Sequence, residues 1–264
     1  MRHLAFALMM LAVGRQPANG QALDSHARRM DHSQFDKLLK AHVTNGLVDY
    51  DAFAASGDFT SYLKALSLAD PSRLERGEQL AFWINAYNAY TISLINHHQE
   101  RASIRNINRS FGFVKGFGPW KEKIAVVGGR AYGLDEIEQD IIRARYHEPR
   151  AHFALVCAAM GCPPLRSEAY DGNRLDEQLD SQARAFLLDA PTKNRVDVGT
   201  RTFHVSPILV EFRDYIKDFG GSERSVMLYV ARYYPPGEAK RLLEGGTLRV
   251  VRTEYDWALN SLPQ

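Results

Sequence analysis

Residues 152–164 read His-Phe-Ala-Leu-Val-Cys-Ala-Ala-Met-Gly-Cys-Pro-Pro. The stretch contains both cysteines of the chain, Cys157 and Cys162, and it begins with His152. An apolar run this short does not separate a strand from a short helix by its periodicity. We favour a strand that ends in a turn at 158–161, which would place Cys157 at the end of the strand.

The cysteine pair has two interpretations. In an oxidising compartment a structural disulfide is the commonest use of two cysteines. Alternatively, Cys157 is a nucleophile, because backbone N–H groups of the small residues after it can stabilise an oxyanion. Cys162 is followed by Pro163 and Pro164, which have no N–H to donate, so it is the more structural of the two.

A nucleophilic thiolate needs a base or a cation nearby, and His152 is the nearest candidate. On a strand, however, His152 and Cys157 would lie on opposite faces and about 16 Å apart. Only a bend would then bring them together, unless a histidine from elsewhere, such as His147 or His204, pairs with Cys157. A zinc site is not expected, because the spacing of this histidine and the two cysteines lacks the C-x-x-C pattern common in zinc sites. No Rossmann or P-loop fingerprint occurs either, and we predict no metal and no cofactor.

Residues 1–22 have the features of a secretory signal peptide: Arg2, an apolar run from Leu4 to Val13, and a small-x-small cleavage site at 20–22. Its removal leaves 31 basic and 31 acidic residues. A neutral balance gives no electrostatic reason to expect a nucleic-acid partner. The apolar run is shorter than the roughly 20 residues that span a bilayer. We therefore predict a periplasmic or secreted protein without an integral membrane segment.

The remaining sequence predicts a helix-rich α+β fold, a single domain over 35–264 with a small, mostly antiparallel sheet, preceded by a flexible segment at 23–34. The predicted helices are 35–42, 53–68, one from Ser72 with Glu75 as its capping box, one from Leu134, one from Leu175, 210–219 and 225–234. The predicted strands are 47–50, 123–127, 130–133, 196–198, 203–205 and 248–252, with hairpin turns at Gly128-Gly129 and Gly199-Thr200.

The helix that follows Ser72 is apolar on all faces, which is typical of a buried helix. Asn85 and Asn88 lie inside it, and each buried amide needs a partner. They either bind neighbouring loop backbone or line a site, where one of them would orient a histidine or donate to an oxyanion. Glu138, on the helix from Leu134, lies beside the apolar stripe, so it could point inward or stay solvated, and by default we expect it to be solvated.

Four ordered motifs give the chain a family resemblance. They are Ala81-Phe82-Trp83-Ile84-Asn85-Ala86-Tyr87-Asn88-Ala89, Leu134-Asp135-Glu136-Ile137-Glu138, the segment from His152 to Leu165, and Tyr255-Asp256-Trp257. Together they resemble the domain of unknown function 547 family, over roughly 35–260. The resemblance implies a triad like that of thiol peptidases, with Cys157 as nucleophile, His152 as base and Glu138 as orienter of the imidazole. This chain departs from the family pattern at Gln139, where a histidine is frequent, and at Ala159 and Gly161, where serines are common.

Three functions follow as hypotheses. The first is a cysteine-dependent hydrolase or acyltransferase, peptidase-like, acting on a small-molecule or peptide substrate through Cys157, His152 and Glu138. The second is a non-catalytic periplasmic binding or scaffold protein with a structural cysteine pair, for which the glycine- and aromatic-rich loop at 105–120 is the contact surface for a protein partner. The third, a thiol redox module, is disfavoured because the cysteines lack the usual C-x-x-C spacing. Asn85, Asn88 and Cys162 are the supporting candidates.

Overall fold

The computed structural model describes residues 29–109 and 117–263. The predicted signal peptide, residues 23–28 of the predicted flexible segment, and residues 110–116 of the aromatic loop lie outside these ranges. The helices are α1 (Ser33–His42), α2 (Tyr50–Ala55), α3 (Gly57–Leu68), α4 (Arg76–His97), α5 (Leu134–Glu136), α6 (Ala144–Tyr146), α7 (Ala151–Ala154), α8 (Leu175–Leu187), α9 (Pro207–Val210), α10 (Glu223–Ala231) and α11 (Glu238–Gly245).

The strands are short and form separate small sheets. They are β1 (Val43–Thr44), β2 (Leu47–Val48), β3 (Ala125–Val127), β4 (Arg130–Tyr132), β5 (Arg195–Asp197), β6 (Thr202–Val205) and β7 (Arg249–Arg252). In the described ranges β1–β2, β3–β4 and β5–β6 pair antiparallel, and β6–β7 pair in parallel. The predicted helix-rich α+β fold with mostly antiparallel strands is confirmed, although the strands are distributed over three sheets rather than one.

Two helix starts differ from the prediction for local reasons. The predicted helix 53–68 is two helices, because Ser56 is extended and its side chain accepts the N–H of Phe59 to start α3. The prediction that Ser72 and Glu75 form a capping box at the start of the long helix was wrong. Residues 71–73 form a 3₁₀ turn capped by Asp70, and α4 starts at Arg76, after an extended Glu75.

Helix α4 is the buried centre of the fold. Sixteen of its residues are buried, in agreement with its all-round apolar sequence. Both asparagines hold loop backbone. Asn85 Nδ2 donates to the carbonyl of Tyr170 at 2.8 Å and its Oδ1 accepts the N–H of Tyr170 at 2.9 Å. Asn88 binds the chain just before Cys157 in the same two-bond manner.

The segment after β4 is helical but irregular. Residues of α5 lead into a π-helical segment (Ile137–Arg143) and then into α6. The expectation that Glu138 is solvated was wrong, since its side chain is buried. A π-helical turn inserts an extra residue, which rotates the side chains that follow relative to an α-helical stripe. An α-helical periodicity places Glu138 at the edge of the apolar stripe. In the π-helical segment its side chain instead points into the protein interior.

The preference for a strand at 152–157 was also wrong. Residues 151–154 form the short helix α7, and the chain leaves it at an extended Leu155, with no strand assigned to residues 155–157 in the described ranges. The side chain of Asn88 explains why no strand forms here. Its amide binds the carbonyl of Ala154 and the N–H of Val156, each at 3.0 Å, and so occupies backbone groups that a neighbouring strand would need.

The C-terminal part differs from prediction at two places. The predicted helix 210–219 is instead the end of α9 and a separate 3₁₀ helix (Tyr215–Phe219). Helix α11 was not predicted, because it follows directly on Pro235-Pro236-Gly237 and is only eight residues long. The buried side chains form two clusters. One surrounds α4, and the other lies between α8, β6, α9 and α10.

Candidate functional site

A cavity of about 230 Å³ lies between these two clusters and carries the chemistry predicted from sequence. Its wall is mainly aromatic and aliphatic, with Tyr87, Trp120, Leu155, Pro163, Ile208, Phe212, Tyr215, Tyr255 and Trp257. The polar side chains in the wall are Glu138, His152, Cys157 and Arg213. The three residues of the predicted triad thus meet at one cavity, although His152 and Cys157 could not have done so on a regular strand.

The bend that brings them together has a local cause. His152 lies on α7, and the chain leaves this helix at Leu155 in extended conformation. Asn88 fixes the next residue, Val156, and Ala158 then adopts a left-handed conformation with φ of 60°. Such a conformation is costly for alanine and persists only where surrounding contacts impose it. Between His152 and Cys157, the short helix α7 replaces the strand geometry that would separate the two side chains.

Cys157 and Cys162 form a disulfide with a Cα–Cα distance of 6.2 Å. Cys157 is half-buried at the cavity wall, whereas Cys162 is buried behind it. The hydroxyl of Tyr255 lies 3.2 Å from both sulfurs, and the backbone N–H of Cys157 donates to the sulfur of Cys162 at 3.2 Å. In this bridged state neither sulfur is a thiolate, so Cys157 cannot act as a nucleophile until the bridge is reduced.

The hydrogen-bonding partner of His152 is Asp218. The imidazole Nε2 lies 2.6 Å from Oδ2 of Asp218, and that carboxylate also accepts from Arg143 at 2.6 Å. Partial burial raises the pKa of Asp218, but the hydrogen bonds from His152 and Arg143 outweigh it and hold the pKa well below its usual value. The ring of Tyr215 packs on the imidazole with 4.2 Å between centroids. His152 is therefore fixed in orientation on two sides.

Glu138 forms a hydrogen bond with Tyr215 rather than with His152. Its carboxylate accepts a hydrogen bond from the hydroxyl of Tyr215, the same side chain that packs on His152. Burial raises the pKa of Glu138, although Tyr215, His152 and Arg213 each act to lower it. Among the described residues, the carboxylate that hydrogen-bonds the imidazole is therefore Asp218, whereas Glu138 hydrogen-bonds to Tyr215, which packs on the imidazole.

The sequence did not single out Asp218, Tyr215 or Arg213. Arg213 lines the cavity next to Phe212, has a φ of 50° and forms an ion pair with Asp135. Asp218 and Tyr215 lay inside a predicted helix, where an acidic residue is by default solvated. The Tyr255-Asp256-Trp257 motif was the available signal, because two of its aromatic rings line the cavity.

A separate cluster has the chemistry of a metal site. His97, His98 and Glu122 offer ligand atoms that all lie within 4.8 Å of one another, and His98 Nε2 is 2.8 Å from Glu122 Oε2. Both histidines are exposed at the end of α4. The sequence did not predict this pair as metal ligands, because the two histidines lie far along the chain from the cysteines. In the part of the chain that the structure describes, no helix combines the length and hydrophobicity required to cross a membrane.

Fold and site together define a helix-rich α+β protein with a disulfide in the wall of an aromatic cavity. Residues 71–187 match the family model described as "Protein of unknown function, DUF547", and this part of the chain belongs to that family. The matched range contains α4, Glu138, His152 and both cysteines, whereas Asp218, Tyr215 and Tyr255 lie beyond it. Comparison with curated proteins and with solved structures gives no match.

Proposed function

We propose that this is an exported cysteine-dependent hydrolase or acyltransferase whose nucleophile, Cys157, is stored in the disulfide with Cys162. The observation that supports it best is the convergence of Cys157, the His152–Asp218 pair and Glu138 on one cavity. A nucleophile, a base and a group that orients the base are the components of thiol-based acyl transfer.

The proposed reaction has two stages. A dithiol reductant first exchanges with the bridge, so that the reductant is oxidised to a disulfide and Cys157 and Cys162 become thiols. His152 then takes the proton of the Cys157 thiol, the thiolate attacks the substrate carbonyl, and the leaving group takes that proton from His152 as it departs. Water, or another acceptor, attacks the acyl-cysteine and releases the acyl group, which regenerates the thiol. Asp218 keeps the imidazole in position through its hydrogen bond.

The cavity suggests the kind of acyl group. Aromatic rings dominate the wall, and a volume of about 230 Å³ suits a small apolar or aromatic group rather than a long polar chain. Tyr255 and Trp257 lie with their ring centroids 4.5 Å apart, and Trp120 packs edge-on at 6.3 Å from Trp257. We therefore expect esters or thioesters of aromatic and short aliphatic acids to be better substrates than charged ones.

The second candidate function is a non-catalytic binding protein. The bridge between Cys157 and Cys162 favours it, because a disulfide in an exported protein is most often structural. In that case the aromatic cavity holds a small apolar ligand, and the imidazole and the carboxyl groups fix its orientation. Both candidates assume export, which intact-mass measurement tests. Protein secreted with its own leader should begin at Leu23, and a chain that retains Met1 would contradict export.

Two single substitutions separate the candidates. Cys162→Ser leaves Cys157 as a free thiol, so we expect this variant to be alkylated by iodoacetamide and to hydrolyse aryl thioesters without reductant. Wild type should do so only after treatment with a dithiol, and Cys157→Ser should be inactive under both conditions while its circular dichroism is retained. An acyl adduct of Cys162→Ser, measured by intact mass, would identify the intermediate.

The binding function predicts a different result from the same proteins. All three would then bind an aromatic carboxylic acid with similar affinity, which quenching of Trp120 and Trp257 fluorescence reports. None would turn over a thioester faster than the uncatalysed rate. Failure of Cys162→Ser to react with thioesters, although folded and alkylated, would rule out the hydrolase proposal for that substrate class.

A further inference from the structure

A second pocket, of about 340 Å³, lies away from the disulfide, between the start of α1, the first turn of α4 and the segment 168–174. We call it the His32 pocket. Three buried side chains in its lining have polar atoms without a hydrogen-bond partner among the described residues: His32 Nε2, Glu78 Oε1 and Tyr170 Oη. Their exposed fractions are 9%, 7% and 2%.

Such atoms are rare in proteins, because an unsatisfied buried polar group costs roughly 1–3 kcal/mol. Most are explained by water or by a bound molecule. Three of them in the lining of one pocket make it a candidate site for a molecule that forms hydrogen bonds.

The charge of the pocket indicates what that is. Each of its three cationic side chains is within 3.4 Å of a carboxylate of the same pocket: Arg29 of Glu78, Lys40 of Asp36, and Arg174 of Glu168. Asp31 and Asp171 add two further carboxylates, so that the lining carries five negative groups against three positive ones. An anionic ligand would be opposed by this balance, whereas a cation would be attracted.

The environment of Glu78 also favours a cationic ligand. Burial raises its pKa, and the charge of Asp171 raises it further, while Arg29 and the amide of Gly172 act in the other direction. Nε of Arg29 is 3.4 Å from Oε1 of Glu78, and the side chain of Arg29 is about half exposed, at 51%. The carboxylate is thus only partly compensated, and a cation in the pocket would stabilise its charged form.

The two neutral groups complete the site. Burial lowers the pKa of His32 to about 4, so the ring is uncharged at neutral pH. Its Nδ1 lies 2.7 Å from the hydroxyl of Tyr62, which leaves Nε2 for a ligand. When Nδ1 carries the proton, Nε2 accepts, and the hydroxyl of Tyr170 can accept as well. We propose that the His32 pocket binds a small organic cation with a primary ammonium group, held by Glu78 as counter-ion and by His32 and Tyr170 as neutral acceptors.

The probes form a charge series of one size: 1,4-diaminobutane, 1-aminobutane and 1-butanol, with inorganic phosphate as the opposite charge. Isothermal titration calorimetry on the whole protein at neutral pH and low salt should show binding that weakens from the diamine to the monoamine and is absent for the alcohol. Glu78→Gln should weaken diamine binding at least fivefold. The matched control Glu244→Gln, on the exposed surface of α11, should change it less than twofold.

Tyr170→Phe keeps the carboxylate and removes one acceptor, so a two- to threefold loss is expected even if Glu78→Gln proves unstable. The affinity should also rise with pH as Glu78 ionises beside Asp171, Asp31 and Arg29, and fall below the pKa of His32, where a charged ring would repel the ligand. Three results would overturn the proposal: equal diamine affinity in wild type and in both pocket variants, butanol binding as well as the diamine, or binding of phosphate in preference to the amines.

Discussion

At the scale of single residues, His152 shows how a candidate site residue can be predicted while its hydrogen-bond partner is missed. The sequence supplied the histidine because it precedes the cysteines, but its hydrogen-bond partner Asp218 lies 66 residues further on. No local pattern connects the two. Asp218 is selected by the path of the chain after α9, and Arg143 and His152 then share its carboxylate. Candidate nucleophiles and bases were therefore predictable, whereas the network that orients them was not.

This network makes a prediction about stability and pH. The pKa of Asp218 is lower in the folded than in the unfolded protein, so its stabilising contribution is present above about pH 4, the ordinary value for aspartate, and is lost as the pH falls through the lower folded value. Asp218→Asn removes the charge that His152 and Arg143 share. We expect the variant to lose about 1–3 kcal/mol of unfolding free energy at pH 7.

The measurement is thermal unfolding at pH 7 and pH 3. At about 2–4 °C per kcal/mol for a chain of this size, Tm should fall by several degrees at pH 7, and the difference between the two pH values should shrink. Asp189→Asn, at an exposed position, serves as the control and should leave both values unchanged. A variant that keeps the full wild-type loss of Tm on acidification would show that Asp218 does not contribute to it.

At the scale of elements, turns were predicted better than the segments between them. The predicted turn at Gly128-Gly129 joins the antiparallel strands β3 and β4, because glycine tolerates the positive φ that such a turn requires. Helix boundaries failed where a side chain competed with the backbone, as at Ser56. The π-helical segment at 137–143 was beyond prediction, and for α7 the apolar run left a strand and a short helix open, because tertiary contacts rather than periodicity decide between them.

Two glycines in different backbone conformations, Gly46 and Gly57, should respond in opposite ways to alanine. Gly46 has a φ of +82°, and an added Cβ would lie 2.5 Å from Cβ and 2.7 Å from Cα of Pro164. A left-handed alanine costs roughly 1–2 kcal/mol and overpacking roughly 1–3 kcal/mol, so Gly46→Ala should destabilise the protein by at least about 2 kcal/mol. Gly57 starts α3 with open space around it, and Gly57→Ala should stabilise by roughly 0.4–1 kcal/mol.

Urea unfolding followed by circular dichroism measures both changes. The midpoint should move down for Gly46→Ala and slightly up for Gly57→Ala, with the slope unchanged in each case. A midpoint of Gly46→Ala equal to that of the wild-type protein would mean that the turn between β1 and β2 relaxes around Pro164 at no cost in stability.

At the scale of the whole molecule, the question is whether the two buried clusters form one folding unit. Helix α8 contributes Leu175 and Leu179 to the cluster around α4, and Ala183, Phe186 and Leu187 to the other. Tyr255 packs against both clusters, next to the disulfide. The cavity with Cys157 and His152 lies at this junction, so its geometry depends on both clusters being intact. The family match ends at residue 187, inside the second cluster, so it does not mark a separable unit.

A shared helix and a shared cavity predict a single cooperative transition, as expected for one domain over 35–264. Differential scanning calorimetry should give one peak, with the calorimetric and van't Hoff enthalpies equal. Gly46→Ala perturbs the α4 cluster, and Leu209→Ala perturbs the other, where burial of Leu209 implies a cost of about 2–5 kcal/mol. Each variant should shift the whole peak downward, since neither cluster can unfold while the other keeps its half of α8. Two peaks, with each substitution moving only one, would instead show that the cavity lies between two independently folding units.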